Sequence, residues 1–183
     1  MSFNLLAEVY DWAGSFVKDY VLTHYGPSTS VLDVGAGRGK YRMLLPTYAS
    51  VDACEVWEPT VDREGLRDLY RDVFVCDVVE LVQLPSWNES RYDLVIMGDV
   101  LEHLALEDAT FVVDRVADVG ADVIVVVPYV YPQDEEDGNA YQRHLQDDLT
   151  PESMVATYPQ LRLIALETRD FKPFKGIYVG RAE

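Results

Sequence analysis

The stretch Val31-Leu32-Asp33-Val34-Gly35-Ala36-Gly37-Arg38-Gly39-Lys40-Tyr41 constrains the fold more than any other part of the chain. A short apolar run ends at an acidic residue, glycines follow at alternate positions, and Tyr41, Met43, Leu44 and Leu45 can then start a helix. This pattern reads as strand, tight turn and helix N-terminus, because glycine reaches positive φ and leaves no Cβ between backbone and ligand. Amide groups at such a turn are free to meet the polar end of a nucleotide or a nucleotide-like molecule. The dinucleotide fingerprint G-x-G-x-x-G is not met, since position 40 is Lys. The phosphate-binding loop G-x-x-x-x-G-K-[ST] fails as well, with Val at 34 and Tyr at 41.

The segments around this turn alternate in type. Leu6, Val9, Trp12, Phe16 and Tyr20 recur at helical spacing over residues 3–25, and Pro27 with Ser28-Thr29-Ser30 stops them. A helix placed there packs across the strand ends, so Tyr10 or Trp12 either covers a ligand or joins the core. A short helix runs from the turn to about Pro46. Strands follow at Val51–Val56, Asp72–Cys76, Tyr92–Met97 and Ala121–Val127, with helices over 60–70 and 107–118. Arg63, Arg67 and Arg71 mark the solvated face of the first of these helices. Strands apolar on both faces and alternating with helices call for a parallel sheet covered on both sides. The last two, Leu161–Glu167 and Gly176–Gly180, are joined by too short a loop for a parallel crossover and form an antiparallel hairpin. The predicted architecture is an α/β three-layer sandwich: a mainly parallel seven-stranded sheet ending in an antiparallel hairpin, with helices on both faces.

A chain of 183 residues, 49% hydrophobic, is read as one domain over 1–183. Within it, 1–27 forms a helical cover, 28–130 the cofactor-binding core, and 131–183 an acceptor-side loop and the hairpin. The net charge of −17, from 32 acidic and 15 basic residues, repels phosphate backbones and anionic membranes. It serves solubility or adaptation to high salt. The N-terminus shows no basic region followed by an apolar core, and the longest apolar run, Val123–Val130, contains Pro128 and is too short to span a bilayer. Cys54 and Cys76 lie in strand-like segments, outside any C-x-x-C pattern, and read as free buried thiols. The chain is read as cytoplasmic.

In open α/β sheets ligands gather at the carboxyl ends of the strands, and an acid stands near almost every one: Asp33, Glu55, Asp77 and Asp99. Together with Asp33-x-Gly35-x-Gly37-x-Gly39 and the five-strands-plus-hairpin order, this resembles the class I S-adenosylmethionine (SAM) dependent methyltransferases. The fourth-strand segment Tyr92-Asp93-Leu94-Val95-Ile96-Met97-Gly98-Asp99-Val100-Leu101-Glu102-His103 resembles the family's corresponding motif. The resemblance covers about residues 30–130 well and the remainder loosely.

It implies SAM as cofactor and S-adenosylhomocysteine as product. Asp33 would face the cofactor's amino-acid end, and Gly35, Ala36, Gly37 and Gly39 would let the backbone approach its methionine and ribose parts. Glu55 would hold both ribose hydroxyls, with Glu58 its rival. Val56 and Trp57 would pack on the adenine, Asp77 would accept from the adenine amino group beside Val78, and Asp99 would complete the cofactor set. Asp93 is read as structural. Since the sulfonium is already activated, the protein mainly aligns the nucleophile, and a base helps where a proton must leave.

The candidate catalytic residues are His103, past the fourth strand, and His144 with Tyr141, in the loop after the fifth. His103 alternatively caps a helix, and His144 and Tyr141 alternatively fix the loop. His24 is read as structural, and no metal ligands are assigned. The Asp/Asn-Pro-Pro-aromatic motif of amino-methylating DNA enzymes and a catalytic Pro-Cys are both absent from their places. The expected acceptor is therefore a small molecule, or else a protein side chain, with nucleic acid disfavoured. The acidic run Asp134-Glu135-Glu136-Asp137 favours a neutral or cationic acceptor. Two other readings stay open: a SAM-binding regulator or scaffold without catalysis, and an NAD-dependent oxidoreductase.

Overall fold

The computed structural model describes residues 11–89 and 92–181. The expected helical positions Leu6, Val9 and Tyr10 lie outside them. Helix α1 spans Trp12–His24, and Asp11 caps it by accepting from the Gly14 amide at 2.6 Å. The elements that follow are β1 (Val31–Val34), α2 (Lys40–Leu44), β2 (Val51–Cys54), α3 (Glu58–Glu64), α4 (Leu66–Leu69) and β3 (Val73–Phe74). Then come α5 (Val78–Leu81), β4 (Leu94–Gly98), a 3-10 turn at Leu101–His103, α6 (Leu106–Asp118) and β5 (Asp122–Pro128). The chain closes with α7 (Pro151–Thr157), β6 (Arg162–Arg169) and β7 (Lys172–Gly180).

The strands form one seven-stranded sheet in the order β3-β2-β1-β4-β5-β7-β6. Pairings among β1 to β5 are parallel, and β7 runs antiparallel to both β5 and β6. Strand order reverses between β1 and β4, which are neighbours in the sheet though distant in sequence. Alternate residues of each inner strand face opposite layers. Leu32, Val34, Val95, Met97, Val123 and Val125 pack against Ala109, Val112, Val113 and Val116, spaced along one face of α6. On the other side Val31, Ala53, Leu94, Ile96, Ile124 and Val126 meet Ala13, Val17 and Val21 of α1 with Leu44 and Tyr48. The sheet is apolar on both faces for this reason, and the three-layer expectation is met.

Several boundaries differ from the sequence reading, among them β2, which stops at Cys54, and β4, which runs from Leu94 to Gly98; three others differ more. The helix expected over 60–70 is two helices, broken at Gly65, whose φ of +64° ends one helical turn and starts the next. The third strand is two residues long instead of five. It sits at the sheet edge and pairs only with Ala53 and Cys54, where its neighbour β2 also stops. The final hairpin is longer than expected, and its loop is only Asp170-Phe171. Pro173 does not end β7, because pairing with β5 begins at Lys175 and the missing amide faces no partner there.

Both loop residues are left-handed, with φ of +49° and +62°, and Phe171 is fully exposed. That is the backbone of a type I′ turn, which Asn-Gly fits without the steric cost that other side chains incur. The double substitution Asp170→Asn with Phe171→Gly is expected to raise the melting temperature by roughly 2–4 °C. Thermal denaturation followed by circular dichroism checks this, and an unchanged or lower midpoint would contradict it.

Candidate functional site

A cavity of about 670 Å³ opens at the carboxyl ends of β1, β2 and β4, where the strand order reverses. The glycine turn forms one wall. Gly35, Gly37 and Gly39 have φ of +64°, +51° and +75°, and a Cβ on Gly35 would stand 2.6 Å from Val100 Cγ2. The turn's amides are not free, as the sequence suggested. Gly35 and Ala36 donate to the Cys54 carbonyl at 2.8 and 3.3 Å, Gly39 donates to Ala36, and Gly37 donates to Glu55 Oε2 at 2.9 Å. Left-handed φ angles curl these donors back onto the end of β2, so the turn presents bare backbone to the cavity.

Glu55, just past β2, is the residue that locks this wall. Its Oε2 accepts from Gly37 and its Oε1 from the Trp57 amide at 3.0 Å, which crosslinks two loops through one carboxylate. A carboxylate accepts about four hydrogen bonds, so it keeps capacity toward the cavity it lines. Its rival Glu58 stands at the start of α3 with its side chain 67% exposed, 3.8 Å from Arg67. Asp77 caps α5 by accepting from the Val79 amide at 2.8 Å and also lines the cavity, with Val78 beside it.

Asp33 lies behind the turn and does not line the cavity. Its Oδ2 accepts from the Tyr70 hydroxyl at 2.5 Å, and its Oδ1 is buried without a partner among the described residues. Burial pushes its carboxyl up to about 7; the Tyr70 bond and Lys40 work against this and Glu55 adds to it. At the end of β4, Gly98 gives way to the Tyr41 ring, into which a Cβ there would run. Asp99 takes a left-handed φ of +57°, and its Oδ1 pairs with Lys175 Nζ at 2.8 Å.

The other end of the cavity is built by the loop after β5. The Glu102 carbonyl accepts from the Leu145 and Gln146 amides, and the Gln146 side-chain amide donates to the carbonyls of Leu101 and Leu104. These bonds clamp the loop onto the 3-10 turn and bring His144 against His103, ring centroids 4.6 Å apart at 77°. Burial holds His103 below the usual imidazole range, partly offset by the Arg143 carbonyl. Tyr141 stands at the rim, half exposed, with its amide donating to Asn139 Oδ1. Glu102 is 1% exposed, and neither of its carboxylate oxygens has a hydrogen-bond partner among the described residues. Burial, with the charge of Asp99, holds its carboxyl well above the usual range.

A family model described as a methyltransferase domain matches residues 32–124. The chain belongs to the SAM-dependent methyltransferases. Its fold agrees with that of solved members. A SAM-dependent methyltransferase from Clostridium acetobutylicum shares 14% identity at a TM-score of 0.67, over 98% of each chain. The N-terminal domain of EvdMO1, crystallised with S-adenosylhomocysteine and D-fucose, shares 18% at 0.64, over 91% of this chain and 82% of that one. Magnesium protoporphyrin IX methyltransferase from Synechocystis, with bound SAM, shares 18% at 0.58, over 91% and 77%. No curated protein sequence matches the chain.

The cavity of this methyltransferase gathers Gly35, Gly37, Glu55, Val56, Asp77, Val78 and Asp99 with His103, His144 and Tyr141. Asp33, Ala36, Gly39 and Trp57 are outside its lining. Trp12 is also outside it, stacked on Phe16, and His24 ends α1 with Nδ1 2.8 Å from the Tyr20 carbonyl oxygen. Sequence reasoning missed Glu102 and Lys175. The quoted fourth-strand segment contained Glu102 without marking it, and nothing near Lys175 signalled a site. Cys54 and Cys76 are free, with the Cys54 thiol donating to the Cys76 carbonyl at 3.4 Å. No helix among the described residues is long and apolar enough to cross a membrane.

Proposed function

We propose that this methyltransferase transfers the methyl group of SAM to a small-molecule acceptor, within a single domain acting in the cytoplasm. The observation that carries the reading is one continuous cavity, with the glycine turn and Glu55 at one end and His103, His144 and Tyr141 at the other. Its volume of about 670 Å³ lies in the range of small-molecule sites.

The residues present fit the cofactor. Glu55, already oriented by two backbone donors, accepts from the ribose hydroxyls. Asp77 accepts from the adenine amino group, and Val56 and Val78 offer apolar surface to the ring. Gly35 and Gly37 admit the chain beyond the ribose, and Asp33 places a buried carboxyl behind the turn, whose ionised form the cationic end of the cofactor would favour. The cofactor supplies an activated methyl on a sulfonium, so the protein's task is chiefly alignment and exclusion of water. His103 and His144 hold the acceptor or take its proton, and Tyr141 closes the rim.

The net charge of −17 works against a polyanionic acceptor. The D-fucose of the EvdMO1 structure and the porphyrin in the name of the Synechocystis enzyme support a small acceptor. The acidic run 134–137 favours a neutral or cationic one.

Calorimetric titration of the purified chain with SAM, S-adenosylhomocysteine and NADH tests the cofactor assignment, followed by transfer of labelled methyl across small-molecule classes. Micromolar binding of the first two and turnover of a small acceptor are expected. NADH binding alone would replace the reading with an oxidoreductase. SAM binding without turnover of any acceptor would leave a regulator.

A further inference from the structure

Glu102 poses a problem that methyl transfer does not solve. A carboxyl group 1% exposed, with neither oxygen hydrogen-bonded among the described residues, is costly to bury, yet it lies on the wall of the cavity. Two imidazoles stand beside it. Each of the three residues offers one ligand atom, and all three atoms lie within 4.8 Å of one another.

The histidines are oriented for ligation. His103 Nδ1 lies 3.2 Å from the Arg143 carbonyl oxygen, and His144 Nδ1 lies 2.6 Å from that of Tyr131. A carbonyl only accepts, so Nδ1 carries the proton in both rings and Nε2 keeps its lone pair. Backbone carbonyls that fix the tautomer of ligating histidines are the usual outer support of a metal site. The same clamp that joins the 131–149 loop to the 3-10 turn holds the three residues together.

We propose that Glu102, His103 and His144 bind one divalent first-row transition-metal ion, which holds an oxygen-bearing acceptor in the cavity. Donors about 2.0–2.2 Å from one ion stand no more than about 4.4 Å apart, so small rotations of side chains close the set. Two imidazoles with one carboxylate favour ions such as Zn²⁺ or Co²⁺ over Mg²⁺ or Ca²⁺. Three protein ligands leave coordination positions for hydroxyl or carboxylate oxygens of the acceptor. Asp99, whose charge also reaches Glu102, is engaged by Lys175 at 2.8 Å, so the carboxylate left for the cation is Glu102. With the ion bound, both imidazoles act as ligands and not as bases. The proposal rests on the acceptor assignment above only for the ion's role; binding of the ion stands apart from it.

Titration of the chelator-treated full chain with Co²⁺ alone, read by visible absorption and calorimetry, tests this. Saturation at one equivalent is expected, with affinity at least about tenfold weaker in both Glu102→Gln and His144→Ala. Glu102→Gln is nearly isosteric and brings no charge into the buried site, so it keeps the fold if His144→Ala does not. An excess of Mg²⁺ is expected not to displace the ion. Absence of a saturable site, equal binding by both variants, or displacement by equimolar Mg²⁺ would overturn the proposal. SAM titrated into the same metal-free sample separates the failures: binding there with no Co²⁺ site rejects the metal alone.

Discussion

Replacing Glu55 by Gln is expected to weaken binding of SAM and S-adenosylhomocysteine by at least tenfold, and Glu55→Ala by about a hundredfold. The carboxylate accepts from the amides of Gly37 and Trp57, and in the proposed complex it also accepts from the ribose. A hydrogen bond to a charged group contributes about 1.5–3 kcal/mol, and each tenfold of affinity is about 1.4 kcal/mol. Gln keeps one acceptor but turns an NH₂ toward an amide that needs one, so part of the lock is lost. Ala removes all of it and leaves two loop amides unpaired. Calorimetric titration checks the affinity, and thermal denaturation of the apo variants separates loss of binding from loss of fold. An unchanged dissociation constant in a folded Glu55→Ala variant would pass the ribose role to Glu58, despite its exposed side chain.

Asp33→Asn is expected to stabilise the apo protein at pH 8 by a few kcal/mol while changing little near pH 4. Burial raises the Asp33 carboxyl from 3.8 to about 7 in the folded chain. Below about pH 4 the group is protonated in both states and costs nothing. Between about pH 4 and pH 7 the unfolded chain has released the proton and the folded chain still holds it. Each unit of rising pH therefore removes up to about 1.4 kcal/mol of stability, and above about pH 7 the loss is complete. Asn preserves the acceptor for Tyr70 and does not titrate, so the slope due to this residue disappears. Glu102, raised in the same direction, leaves a slope of its own. Urea denaturation of both proteins across pH 4–8 measures the difference, and parallel curves would refute the assignment.

These two acids show how legible the site was. Glu55 and Asp33 were both marked by their places at strand ends next to a glycine turn, which is a local pattern. One lines the cavity and the other lies behind it, and this difference depends on Tyr70, three helices and a strand later in the chain. Trp57, Ala36 and Gly39 were named by the same local logic and stand beside the cavity lining, not in it. Lys175 reaches Asp99 only because β7 returns beside β5.

Local sequence determined the alternation of strands and helices, the left-handed turn at Gly35, Gly37 and Gly39, and the order that ends in a hairpin. Each of these follows from apolar periodicity or from the φ angles only glycine adopts cheaply, so neighbours in the chain suffice. The split at Gly65 is local too, since it follows from that residue's left-handed φ, whereas the two-residue length of the edge strand β3 was decided by where its neighbour β2 stops. The meeting of Glu102, His103 and His144 was decided by tertiary structure as well. It depends on backbone hydrogen bonds from Leu145 and Gln146 to the Glu102 carbonyl, and no spacing along the chain encodes a contact between a strand's end and a loop that returns to it.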